Sequence, residues 1–181
     1  ELRKHVGLVF QFPEYQLFEE TIEKDVAFGL KNHGLSEEKA LQKAHETLME
    51  LGFDETYYKR SPFDLSGGER RKVALAGILC LDPEILILDE PTVGLDPKQV
   101  IEIRELIKSF KEDHTVILSS HILSEVSQIC EKVIIIDKGE IVAVDTPENL
   151  ESNVEETVQL NVIVDDINDK FASLKSEIKE I

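Results

Sequence analysis

Basic residues are scarce in this chain: 20 Lys plus Arg stand against 37 Asp plus Glu in 181 residues, a formal charge of −17. That balance argues against a nucleic-acid partner, because a polyanion would be repelled along any binding track. Cysteine is nearly absent. Cys80 and Cys130 lie far apart beside apolar residues, so they form neither a disulfide framework nor a metal-ligand cluster, and two buried thiols in a reducing compartment are expected. No apolar run approaches the roughly 20 residues of a membrane span, the longest being of the Ile85-Leu86-Ile87-Leu88 kind. The opening Glu1-Leu2-Arg3-Lys4-His5 has neither a Met nor a signal-peptide core. These absences point to a soluble, cytoplasmic chain that reads as cut from something longer. What is present, 41% hydrophobic residues with no repeat or low-complexity tract, suits one folded domain with a small appendage.

Apolar residues 6–10 read as a short strand, followed by the aromatic loop Gln11-Phe12-Pro13-Glu14-Tyr15. Three helical patterns come next. Ile22, Val26 and Leu30 recur at helical spacing in the first, which Gly34 stops; Ser36 caps a second that runs through Leu51; Ser66 opens a third, with Val73, Ala74, Gly77 and Ile78 on one face. Beyond Pro83 the pattern changes to short, wholly apolar runs at 85–88, 116–118 and 133–136, with an amphipathic helix of Val100, Ile103, Leu106, Ile107 and Phe110 between the first two. Such runs alternating with helices predict an α/β fold with a mostly parallel sheet covered on both faces. Lys138-Gly139 turns the chain into a hairpin at a sheet edge. After Leu150 a Ser-Asn-Val-Glu-Glu stretch reads as a linker, and residues 151–181 as a small accessory strand-helix element.

Chemistry is suggested first by Leu65-Ser66-Gly67-Gly68-Glu69. Ser66 and Glu69 have the spacing of a helix capping box, for which a well-capped helix is explanation enough. The two intervening glycines cost helix stability, and their use is to let backbone N–H groups and the serine hydroxyl approach an anion at the positive helix end. Next, the apolar run at 85–88 delivers Asp89 and Glu90 to the carboxyl end of a buried parallel strand, where open sheets bind ligands. One acid there can hold Mg²⁺ while its neighbour polarises a water for attack on phosphorus, although such a pair is often only a solvated turn. A second strand ends at Ser119-Ser120-His121 and brings an imidazole to the same edge. Asp96-Pro97 is an ordinary helix start. Gln11 is a loop amide unless its strand shares that edge.

In order, Gln11, Leu65 to Glu69, Asp89-Glu90, Gly94-Leu95-Asp96 and His121 resemble the Q-loop, signature, Walker B, D-loop and switch histidine of ABC-transporter ATPases, over about residues 1–150. The resemblance implies a P-loop NTPase-like fold with an inserted helical subdomain at about 13–80, with ATP and Mg²⁺ as cofactors. It implies Asp89 and Gln11 as metal ligands, Glu90 as the base for the hydrolytic water and His121 as a γ-phosphate contact. It also implies that Ser66, Gly67, Gly68 and Glu69 bind ATP held by a second ATPase subunit, with Asp96 reaching across the same dimer interface. Residues 11–28, with Phe12, Tyr15 and Phe18, would receive a transmembrane transporter subunit at the cytoplasmic face of the membrane.

None of the nine glycines is followed by lysine, so the family's phosphate-gripping G-x-x-x-x-G-K-[ST] loop does not occur in these 181 residues. The expectation is a partial ATPase domain lacking its N-terminal part, inactive alone, with unpaired strand edges at 85–88 and 116–118. Within the family, the run from Phe10 through Gly29 is similar to energy-coupling-factor ATPases, which drive uptake of vitamins or metal ions. Residues 93–107 and 118–126 look more like drug- and antibiotic-export ATPases. A partner supplying only the signature face to a competent subunit is the third alternative.

Overall fold

The computed structural model describes residues 5–154; the expected accessory element therefore lies almost wholly outside the described residues. Three parallel strands form the main sheet: β1 (Val6–Val9), β2 (Ile85–Asp89) and β3 (Thr115–Ser119), in the order β1-β2-β3. Their register aligns Val9 with Leu88, Leu88 with Leu118 and Asp89 with Ser119, so all three strands end at one edge. Residues 85–88 are thus the central strand, paired on both sides, and the expected unpaired edge is absent there. It persists at β3, whose far side has no partner strand among the described residues.

Between β1 and β2 the chain builds a helical lobe from α1 (Ile22–Asn32), α2 (Glu37–Glu50), α3 (Glu55–Tyr58) and α4 (Gly67–Leu79). Ile22, Val26, Leu30, Ala40, Ala44 and Leu48 interlock α1 with α2 and are almost completely buried. Each large aliphatic side chain removed from water there contributes about 1.5–3 kcal/mol. Helix α4 packs against α1, α2, β1 and α5 (Pro97–Phe110). The single apolar face expected for α4 is too narrow. Val73, Leu75 and Ala76 are all buried, and so is the charged Arg71, because α4 is enclosed on several sides by other elements.

Among the described residues the sheet is covered on one face only. Leu86 and Leu88 share a core with Ile103 and Ile107 of α5, while Leu8 and Ile117 on the other face are exposed. The apolar run at 133–136 does not join the parallel sheet as expected: β4 (Val133–Asp137) pairs antiparallel with β5 (Glu140–Asp145) in a separate two-stranded sheet. The Lys138-Gly139 turn, with φ of +50° and +83°, folds the run straight back on its neighbour, which satisfies its backbone locally. Short helices α6 (Leu123–Ile129) and α7 (Pro147–Val154) complete the described chain. The latter takes in the start of the expected linker. Cys80 is buried as expected, but Cys130 is only half-buried.

Candidate functional site

The carboxyl edge of the parallel sheet gathers the first half-site. Glu90 follows β2 with φ +45°, a left-handed conformation costly for a side chain with a Cβ, and its N–H donates to the Ser119 carbonyl (3.1 Å) and to Ser119 Oγ (3.2 Å). The Ser119 hydroxyl donates in turn to Asp89 Oδ1 at 2.6 Å. Ser119 therefore fixes both acids, one by its side chain and the other by its backbone. From the end of β3, His121 Nδ1 meets Glu90 Oε1 at 2.8 Å. The other carboxylate oxygen, Glu90 Oε2, is buried without a hydrogen-bond partner. A buried acceptor left unpaired costs about 1–3 kcal/mol, so this oxygen is set up for a donor that the described residues do not supply. Gln11 is exposed and lies two residues beyond the end of β1, the third strand that ends at this edge.

These residues fit a nucleotide-bound Mg²⁺. That ion takes one or two protein carboxylates and completes its shell with water and phosphate oxygens. Asp89 is exposed at the edge with a hard oxygen to offer. No group of three or more His, Cys, Asp or Glu that could hold a metal by itself occurs among the described residues.

The second half-site lies at the N-terminus of α4. Ser66 caps the helix in a complete capping box: its Oγ accepts from the Glu69 N–H (3.3 Å), and Glu69 Oε2 accepts from the Ser66 N–H (2.9 Å) and hydroxyl (2.7 Å). These bonds hold the Glu69 carboxyl below its ordinary range. Gly67 faces open space, whereas a Cβ on Gly68 would lie 3.0 Å from the Gln99 side chain. Facing this end, Asp96 caps α5, its Oδ1 accepting from the N–H groups of Lys98 and Gln99, each at 3.0 Å. Ser66, Gly68, Glu69, Lys72, Asp96 and Gln99 line an open cleft of about 420 Å³ between the two helix starts. Of the expected site residues, Asp89, Glu90 and His121 come together at the sheet edge, and Ser66, Gly68, Glu69 and Asp96 at the cleft; Gly67 opens to free space beside the cleft, and Gln11 lies in the loop past β1.

Sequence reasoning missed what joins them. Arg71, 1% exposed, grips Glu14 in a two-pronged pair (Nε to Oε2 3.2 Å, Nη2 to Oε1 3.0 Å) and donates through Nη1 to the carbonyls of Pro91 (2.8 Å) and Val93 (2.9 Å). Phe12 turns inward against this guanidinium, 5.9 Å from ring centroid to Cζ, while Tyr15 and Phe18 remain exposed. Also unread was the buried Thr92 hydroxyl, which donates to Glu125 of α6. Its only signal was Glu125 within an otherwise ordinary helix start.

A parallel sheet whose strands deliver an acid pair and an imidazole to one edge, together with a glycine-rich helix start capped by Ser66, is the arrangement of a nucleotide-binding domain. The chain belongs to the ABC transporter family, whose model matches residues 1–93; the family binds ATP. It is 48% identical over 151 residues to the energy-coupling factor transporter ATP-binding protein EcfA2 of Enterococcus faecalis, covering 82% of this chain and 52% of that protein. It is 44% identical to EcfA2 of Listeria monocytogenes over 169 residues, 92% of this chain and 59% of that one. That match runs through both halves, across the 90–97 region where export-type features begin. Among solved structures, cbiO1 of Clostridium perfringens, part of the ABC transporter complex cbiONQ, superimposes with a TM-score of 0.74 at 32% identity, covering 99% of this chain and 68% of that one. The ADP- and phosphate-bound dimeric ATP-binding cassette MJ0796 gives a TM-score of 0.65 at 28% identity, covering 80% of this chain and 64% of that one. The chain spans about half the length of the curated relatives it matches. Among the described residues no helix is long and apolar enough to cross a membrane.

Proposed function

We propose that this chain carries the hydrolytic-base, signature and switch elements of an ATP-hydrolysing subunit that energises an energy-coupling-factor uptake transporter, working peripherally at the cytoplasmic face of the membrane. The observation that carries this reading is the Glu90–His121 contact of 2.8 Å beside an unpartnered Glu90 Oε2, at the end of a central parallel strand. Glu90 accepts the proton of the attacking water at Oε2. His121 holds Oε1 through Nδ1 and keeps its other ring nitrogen for the γ-phosphate. Asp89, with Gln11, would hold Mg²⁺, which would supply positive charge to offset that of the nucleotide phosphates. Ser66, Gly67 and Gly68 offer the hydroxyl and N–H groups of the α4 start to nucleotide held by the opposite subunit, with Asp96 beside them at that interface. The exposed Tyr15 and Phe18, in the segment 11–28, receive the transmembrane component.

The relatives' names favour uptake over drug export, and vitamins or metal ions are the cargo class. A second reading is a partner that gives only its signature face to a competent subunit. Both are tested in the ATPase assembled with its partner and membrane subunits. Glu90→Gln should lower turnover roughly 10²-fold or more while ATP binding persists. Ser66→Arg in one subunit should silence the nucleotide bound by the other. Unchanged turnover in Glu90→Gln with a full effect of Ser66→Arg would select the signature-only reading, and equal loss of ATP binding would make Glu90 a ligand instead of a base.

A further inference from the structure

Arg71 is an unusual residue to bury. A buried ion pair is seldom more stabilising than apolar side chains of similar volume, so what it contributes is geometry. The geometry here is specific. Its planar fork meets the Glu14 carboxylate edge-on through two nitrogens, and the third nitrogen bridges two carbonyls that lie two residues apart in the turn after Glu90. Glu14 is itself only 11% exposed. Three chain segments meet at this one group: the loop that starts at Gln11, the helix that starts at the signature, and the turn at 91–94. The two loop segments are strained where they meet it, with φ +57° at Phe12 and φ +45° at Glu90. A Cβ on Gly94 would come within 2.9 Å of the Phe12 ring, so the first and third segments also touch directly.

We infer that Arg71 is a positioning residue of the ATPase: it holds the turn at 91–94, and through it Glu90 on one side and Asp96 on the other, in fixed register with the Gln11 loop by way of Glu14. The inference rests on the proposed function and names which internal group sets that function's geometry. Glu90 immediately precedes Pro91, so a shift of the Pro91 carbonyl is a shift of the base. Asp96 follows Val93 by three residues, so the same anchor sets where the α5 start faces the Ser66 cleft. Lysine cannot replace the arginine, because an ammonium keeps the charge but lacks the fork that spans a carboxylate and two carbonyls at once.

The test uses Arg71→Lys and Glu14→Gln in the assembled transporter, with Glu90→Gln alongside, and amide hydrogen exchange on the 181-residue chain. For Arg71→Lys the expected result is kcat lowered roughly 10- to 100-fold, as for a misplaced reacting group, with KM for ATP within about twofold. Glu14→Gln, which keeps the shape and loses the charge, should fall between it and wild type. Exchange should quicken at residues 92–96 while the α1 and α2 amides keep their protection. A normal kcat in folded Arg71→Lys, or a loss of activity that only tracks the unfolded fraction, would overturn the inference and leave Arg71 a structural ion pair. Should Arg71→Lys fail to fold, Glu14→Gln decides by the same split. If Glu90→Gln proves fully active the proposed function fails, and the exchange result then judges the holding role of Arg71 by itself.

Discussion

Gly94→Ala probes the packing of the site more directly than any substitution at the reacting groups. Gly94 has φ +80°, in the left-handed region where an L-residue with a Cβ pays about 1 kcal/mol or more. A second cost adds to it, since the new Cβ would sit 2.9 Å from Phe12 Cε1, closer than real carbon contacts allow. Phe12 has little room to yield: its own backbone is left-handed at φ +57°, and its ring lies against Arg71 and 5.8 Å from the Tyr15 ring. Overpacking of this kind costs about 1–3 kcal/mol, and the half-exposure of Phe12 puts it toward the lower end. The expected total is about 2–3 kcal/mol. Gly34 separates the two costs, having φ +91° and nothing within 4 Å of an added methyl, so Gly34→Ala should lose only the backbone part, about 1 kcal/mol. Urea unfolding followed by circular dichroism measures both, and the double variant Phe12→Ala/Gly94→Ala should recover most of the difference as a coupling energy of about 1–2 kcal/mol. Equal losses for Gly94→Ala and Gly34→Ala, or no coupling to Phe12, would refute the contact.

Two other predictions follow from buried groups. Glu23 is 3% exposed and accepts from Lys59 and from His45 Nε2 (2.8 Å); burial raises its carboxyl pKa, but these two partners more than reverse the effect and leave it below the ordinary value. Its contribution is therefore present above the usual carboxylate range and lost as pH falls through the lowered folded value, so Glu23→Gln should cost about 1–2 kcal/mol near pH 7, Lys59 being largely exposed, and progressively less as acid protonates the folded carboxylate; a pH-independent difference in urea midpoints would contradict this. The Cys80 thiol is fully buried, donates to the Val26 carbonyl and is pushed up to about 12, so a thiol reagent at about pH 8 should label Cys130 alone in the folded chain and Cys80 only after unfolding; simultaneous reaction of both would sink that expectation.

What was legible in the sequence was local. Ser66 and Glu69 announce their capping box by spacing, and a four-residue apolar run ending in Asp89-Glu90 announces a strand end carrying acids. Pairing was legible only in part: Lys138-Gly139 announces the hairpin, but the apolar run at 133–136 does not show whether it also has a parallel neighbour in the main sheet. The nearby Lys138-Gly139 turn decided it, as the shorter closure forms first contacts at least entropic cost. The sheet's open face was misjudged for a similar reason: residues 116–118 are apolar throughout, yet composition does not say which of their faces another element covers. Arg71 was illegible altogether. A charged residue one turn into a helix reads as solvated, and its partners lie 57 residues before it and 20 and 22 after it.

The placement of that arginine bears on how two half-sites within one chain act together. Glu90 belongs to the sheet edge and Asp96 to the cleft at the α4 start, and only five residues separate them in sequence. Five residues of free chain would let the two ends move independently. This stretch is not free: the Val93 N–H donates to the Glu90 carbonyl (3.2 Å), the Leu95 N–H to the Thr92 carbonyl (3.3 Å), and the Pro91 and Val93 carbonyls are held by Arg71. Thr92 is tied in turn to Glu125 in α6, which begins two residues after His121. Glu90, its imidazole partner His121 and the start of α5 are thereby fastened to one hydrogen-bonded turn. The Gln11 loop is bonded to that turn through Glu14 and Arg71, so the loop proposed to face the membrane subunit and the residues proposed to act on ATP share a common anchor.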